Sequence, residues 1–148
     1  MSATDSGDTR ARFEGDPAQS WEQIESGYRE LAEMENMPFD LRPMAELARR
    51  VRLSGIDRSL GGIVRLRTLR CMMHKKIYSL EPSLLIDPNT DGSFTFTYVF
   101  SSGSWPKDDW TATYPAEQLM PAFSRFLKRV GWVPEGHPAH AILVGDRA

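Results

Sequence analysis

Residues 94–100 read Phe-Thr-Phe-Thr-Tyr-Val-Phe, an aromatic side chain at every second position. A period of two is that of a β-strand, in which alternate residues project from one face. Immediately before it, Ser83-Leu84-Leu85-Ile86-Asp87 is a second strand-like run, and Pro88-Asn89-Thr90-Asp91-Gly92 between them is turn chemistry ending in Asp-Gly. Two such runs around such a connector predict an antiparallel hairpin. Phe94, Phe96, Tyr98 and Phe100 then share a face that must be covered, each contributing about 1.5 to 3 kcal/mol when buried. A cover is available in Pro115-Ala-Glu-Gln-Leu-Met-Pro-Ala-Phe-Ser-Arg-Phe-Leu-Lys-Arg-Val-Gly131, where Leu119, Phe123, Phe126, Leu127 and Val130 recur at helical spacing. Pro121 marks the first turn of that helix or else kinks it.

The remaining chain extends this pattern. Asp16 is placed to cap a helix with Pro17 at its first position, and Trp21, Ile24, Tyr28 and Leu31 form its apolar stripe. After Pro38 and Pro43, residues 43–55 predict a second helix with Met44, Leu47, Ala48 and Val51 inward and Gly55 near its end. Residues 62–73 fit either a helix or an alternating strand. Asp-Trp-Thr-Ala-Thr-Tyr (109–114) offers a further strand, and His-Ala-Ile-Leu-Val-Gly (140–145) a last one at the sheet edge. The expected architecture is α+β, a small antiparallel sheet packed against about three helices. A length of 148 residues suits a single domain. Residues 1–15, polar and acidic without an apolar stretch, are expected to be a disordered tail, leaving 16–148 as the domain. No apolar run approaches the roughly 20 residues that cross a bilayer. Together with the lone Cys71, this points to a cytoplasmic chain without a disulfide framework.

The net charge of −2 conceals a segregation. Residues 1–40 carry ten acids and three arginines, residues 41–76 ten bases and two acids, and residues 77–148 five bases and eight acids. Either the acidic and basic segments neutralise each other or they make patches that steer partners. Arg49, Arg50, Arg52, Arg65, Arg67 and Arg70 are the candidate phosphate contacts of a nucleic-acid-binding or regulatory module, the alternative functional reading. A helix-turn-helix fits poorly there: when Ala48 takes the small position of the first helix, Arg52 falls where the turn glycine belongs, and Gly61-Gly62 would cost the second helix about 2 kcal/mol.

Catalytic groupings are weak, and the chain is read as a non-enzyme that needs no cofactor or metal. His137 and His140 have no third ligand in sequence and read as solvated. Cys71 with His74 would need a separate oxyanion site, and Met72 and Met73 beside them read as core. Asp108 and Asp109, adjacent on a strand, would point to opposite faces. Trp105 and Trp110, in contrast, lie outside the aromatic alternation, in a loop rich in Gly, Ser, Pro and Asp. They either fold back over the core or, with Asp108 and Asp109, contact a partner, since interfaces concentrate Trp around a polar rim.

The texts Ser-Leu-Leu-Ile-Asp-Pro-Asn-Thr-Asp-Gly-Ser-Phe-Thr-Phe-Thr-Tyr-Val-Phe (83–100), Trp-Pro-Lys-Asp-Asp-Trp (105–110) and Tyr-Pro-Ala-Glu-Gln-Leu (114–119) together resemble the small bacterial immunity proteins of the YezG type. The likeness runs from about Ile77 to Trp132, somewhat over a third of the chain. It implies a noncatalytic α+β protein that binds a cognate toxin domain and neutralises it by covering the toxin's active site or a surface the toxin requires.

Overall fold

The computed structural model describes residues 16–73, 76–77, 82–99 and 110–145. The expected tail at 1–15 lies outside them, as do His74, Phe100, Trp105, Asp108 and Asp109. In chain order the elements are β1 (Asp16–Pro17), α1 (Trp21–Ala32), α2 (Arg42–Ser54), β2 (Gly61–Arg65), β3 (Thr68–Met72), β4 (Lys76–Ile77), β5 (Ser83–Pro88), β6 (Phe94–Val99), β7 (Trp110–Tyr114), α3 (Leu119–Arg129) and α4 (Ala139–Val144). Five strands form an antiparallel meander in the order β2-β3-β5-β6-β7. The fold is α+β, with four helices among the described residues where about three were expected. None of these helices is long and apolar enough to cross a membrane.

The expected β5–β6 hairpin forms with Pro88 opposite Phe94 and Ser83 opposite Val99. Its turn closes through Asn89 N–H to Ser93 O at 2.9 Å and Gly92 N–H to Asn89 O at 3.1 Å. Gly92 takes φ +89°, a conformation that glycine tolerates best. Phe94, Phe96 and Tyr98 are buried and the residues between them only partly so, as a strand covered on one face requires. Residues 62–73 resolve into β2 and β3, joined by Leu66 and Arg67. Strand pairing of Gly62 with Cys71 and of Val64 with Leu69 aims Cys71 and Leu69 at the core, a long-range advantage that local periodicity does not record.

Two expectations are corrected. Helix α1 begins at Trp21, not at Asp16-Pro17, because Ser20 and Gln23 make a reciprocal capping box and β1 pairs with β4 instead. Residues 139–144 form α4, not an edge strand. Helical spacing lets this segment bury Ala139, His140 and Leu143 together, and Gly145 ends it in the left-handed conformation. Pro121 falls in the first turn of α3, where its missing N–H is harmless.

All four helices contribute to one core with the inward face of the sheet. Trp21 seals the β2 end: its indole N–H donates to Leu60 O at 2.7 Å, and its ring lies so close to Gly62 that a Cβ there would stand 2.8 Å from Trp21 Cζ2. The outer margin of β2 is covered by the segment before α1, with Gln19 N–H donating to Gly62 O at 2.9 Å and Gln19 Oε1 accepting from Val64 N–H at 2.8 Å. The opposite margin is β7.

Candidate interaction groove between the edge strand and helix α3

Trp110 begins β7, whose alternation turns Trp110, Ala112 and Tyr114 toward α3 and leaves Thr111 and Thr113 exposed. It is half-buried, and its ring stacks on Phe126 with centroids 6.0 Å apart and planes 24° from parallel. Phe126 in turn meets Tyr98 at 5.1 Å and Trp132 at 5.5 Å edge-on. Trp110 therefore folds back over the core, one of the two sequence alternatives, without being fully covered. One face closes the core and the rest lines a groove of ≈ 440 Å³ shared with Tyr114, Arg125, Lys128, Arg129 and Glu135. A second hollow of ≈ 270 Å³ lies where Trp110 and Phe126 meet Tyr98 and Val130.

The cations come from the exposed side of α3. Arg129 lies 5.7 Å from the Trp110 ring and Arg125 6.0 Å from the Tyr114 ring, distances at which a guanidinium is attracted to an aromatic face. Arg125 thus sits beside the end of β7 and Arg129 beside its start, so helix and strand run antiparallel. The apolar stripe of this helix predicts only its buried face; the sequence signal for the other face is Arg125, Lys128 and Arg129 at spacings of three and four.

The six arginines proposed for phosphate binding divide between α2 and the β2–β3 hairpin. On α2, Arg49 and Arg50 reach Glu46 at 3.2 and 2.7 Å, and Arg50 also donates to Leu143 O at the end of α4. Arg52 reaches Glu25 of α1 at 2.8 Å, and the same buried carboxylate takes Arg29 at 2.6 Å. Neutralisation of the acidic segment by the basic one is thus realised between α1 and α2. Arg65, Arg67 and Arg70 belong instead to the β2–β3 hairpin. Arg67 stacks 4.4 Å over Phe39, and Arg70 Nε donates to Ser83 Oγ at 3.0 Å. Burial, with the nearby Arg65 charge second, lowers the Arg70 pKa.

Cys71 is fully buried, and burial pushes its thiol pKa up, away from the thiolate a nucleophile needs. A different grouping went unseen in the sequence: Ser124 Oγ lies 2.7 Å from His140 Nδ1, and His140 Nε2 lies 3.0 Å from Val133 O and 3.1 Å from Pro134 O. His140 is buried, against the expectation that it is solvated, whereas His137 is exposed. Both ring nitrogens of His140 are engaged, and Ser124 is 2% exposed, so the pair fastens α3 to α4 and offers no nucleophile to a substrate. No family model, curated protein or solved structure matches this chain.

Proposed function

We propose that this protein is a noncatalytic protein-binding module, and that its sharpest form is an immunity protein that binds and neutralises a cognate toxin domain. The observation that carries the reading is the groove at Trp110. There a half-buried tryptophan, a tyrosine and two arginines, the residue types that dominate the energetic centres of protein interfaces, share one concave surface with Lys128. Support for immunity in particular comes from the resemblance over residues 77–132, which spans β5, β6, β7 and α3 and so includes both walls of the groove.

The nucleic-acid alternative has less to stand on. Three of its six arginines are engaged by Glu25 and Glu46, and the six are divided between α2 and the β2–β3 hairpin. Titrating labelled duplex and single-stranded DNA at two salt concentrations tests it, since phosphate contacts weaken steeply with salt.

The test of immunity is co-expression with the products of genes adjacent to this one. The expected result is rescue of growth from one toxic neighbour, a complex that survives purification, and loss of both in Trp110→Ala with folding verified by circular dichroism. If no neighbouring product is toxic or is captured, the immunity reading is abandoned.

A further inference from the structure

We infer that the groove between β7 and α3 receives an extended acidic segment of a partner protein, which adds a strand at β7 while its carboxylates meet Arg125, Lys128 and Arg129. This rests on the protein-binding reading above and names the chemistry of the partner.

The sheet treats its two margins differently. At β2, Gln19 and its neighbours satisfy edge groups, through Gln19 N–H to Gly62 O and Val64 N–H to Gln19 Oε1. At β7, no strand among the described residues pairs on the side away from β6. A strand edge presents a row of backbone donors and acceptors that an extended peptide can match.

The charges point the same way. Five arginines described elsewhere are held by carboxylates: Arg29 and Arg52 on Glu25, Arg49 and Arg50 on Glu46, Arg42 on Asp40. Among the described residues, Arg125, Lys128 and Arg129 have none, although Glu135 lines the same groove. Three like charges at spacings of three and four repel one another along a helix face, a cost that an acidic ligand reverses.

Geometry favours a peptide over a nucleic acid as the acidic ligand. Because α3 runs antiparallel to β7, Arg125 lies beside the Tyr114 end of the strand and Arg129 beside its Trp110 start, about 6 Å apart along the helix axis. Residues two apart on an added strand share a face and lie about 7 Å apart. Carboxylates on alternate residues can therefore meet successive cations while apolar side chains between them face away, and the backbone ladder has no counterpart in a sugar-phosphate chain.

Three fluorescein-labelled probes test this with the full chain by fluorescence anisotropy: a short peptide alternating Glu and Val, its Lys–Val counterpart, and a short oligothymidylate. The Glu–Val peptide is expected to bind and the Lys–Val peptide not. Affinity should fall about tenfold or more, near 1.4 kcal/mol, in Arg125→Glu/Arg129→Glu and to a smaller extent in Lys128→Glu, all at exposed positions. Tryptophan emission should shift on binding in wild type and shift less in Trp110→Phe. Absence of Glu–Val binding, equal binding by the double variant, or tighter binding of oligothymidylate overturns the inference. A toxic neighbour captured equally by wild type and double variant also overturns it, yet leaves the protein-binding reading standing; capture of no partner at all removes that broader reading instead.

Discussion

Ser124 on α3 donates its hydroxyl proton to His140 Nδ1 on α4 across 2.7 Å. For the neutral imidazole the direction follows from the other nitrogen: His140 Nε2 faces the carbonyls of Val133 and Pro134, which can only accept, so Nε2 holds the ring proton and Nδ1 is the acceptor. Ser124→Ala leaves that buried nitrogen without a partner. The expected loss is about 1 to 3 kcal/mol of stability, read as a lower urea midpoint at unchanged slope. A variant as stable as wild type would show that the contact carries no weight in solution.

Leu66 occupies the first of two turn residues between β2 and β3 with φ +59°, and it is 86% exposed. A two-residue hairpin with a left-handed first position favours glycine there, and an L-residue so placed costs about 1 to 2 kcal/mol. Arg67 holds the turn in place, its carbonyl accepting from Tyr28 Oη at 3.0 Å. Leu66→Gly is expected to raise stability by about 0.5 to 1 kcal/mol, since the relief of strain exceeds the added freedom of the unfolded chain. Thermal melts of the two proteins decide the sign, and a lower midpoint for the glycine variant refutes the strain.

Gly62→Ala is expected to act in the opposite direction. Its Cβ would stand 2.8 Å from Trp21 Cζ2 and 3.0 Å from Ile24 Cδ1, and Trp21 is fixed by its bond to Leu60 O. Overpacking at such a site costs about 1 to 3 kcal/mol. Equilibrium unfolding measures it, and an unchanged midpoint would mean that the indole yields freely.

Alkaline pH should destabilise the fold through two buried acids. Burial raises the thiol pKa of Cys71, and burial followed by the nearby Cys71 and Asp87 raises the phenol pKa of Tyr28. A group whose folded pKa lies above its unfolded value contributes stability that is complete below the unfolded pKa, about 8.5 for Cys and about 10 for Tyr, and is lost as pH rises beyond it. The urea midpoint is therefore expected to fall from pH 8 upward, less steeply at first in Cys71→Ala. Iodoacetamide should label Cys71 only as the chain unfolds; labelling of the native protein as fast as in urea would contradict its burial.

Much of the architecture was legible because it is local. The β5–β6 hairpin follows from an alternating aromatic run beside an Asp-Gly turn, and the bodies of the helices follow from stripes such as Met44, Leu47, Ala48 and Val51, all buried. Where reading failed, a distant partner decided. Residues 139–144 are helical because His140 reaches Ser124 and Leu143 enters the core, and α1 starts late because Asp16 and Pro17 pair with Ile77 and Lys76. Of the candidate site, Trp110 was visible as an aromatic outside the alternation, and Trp105, Asp108 and Asp109 lie outside the described residues.

The amino-acid order by itself determined an α+β chain, the inward faces of α1, α2 and α3 and the inward parity of Phe94, Phe96 and Tyr98, because periodicity and turn chemistry act over a few residues. Only the tertiary structure decided which charges are spent. Arg49 and Arg50 meet Glu46 at helical spacings that the sequence already shows, but Arg52 looks available in sequence and meets Glu25 of α1, 27 residues away, while Arg125, Lys128 and Arg129, which look like the back of a core helix, border the groove at Trp110. Coulombic neutralisation depends on a few ångströms of distance in space, and spacing along the chain does not report it.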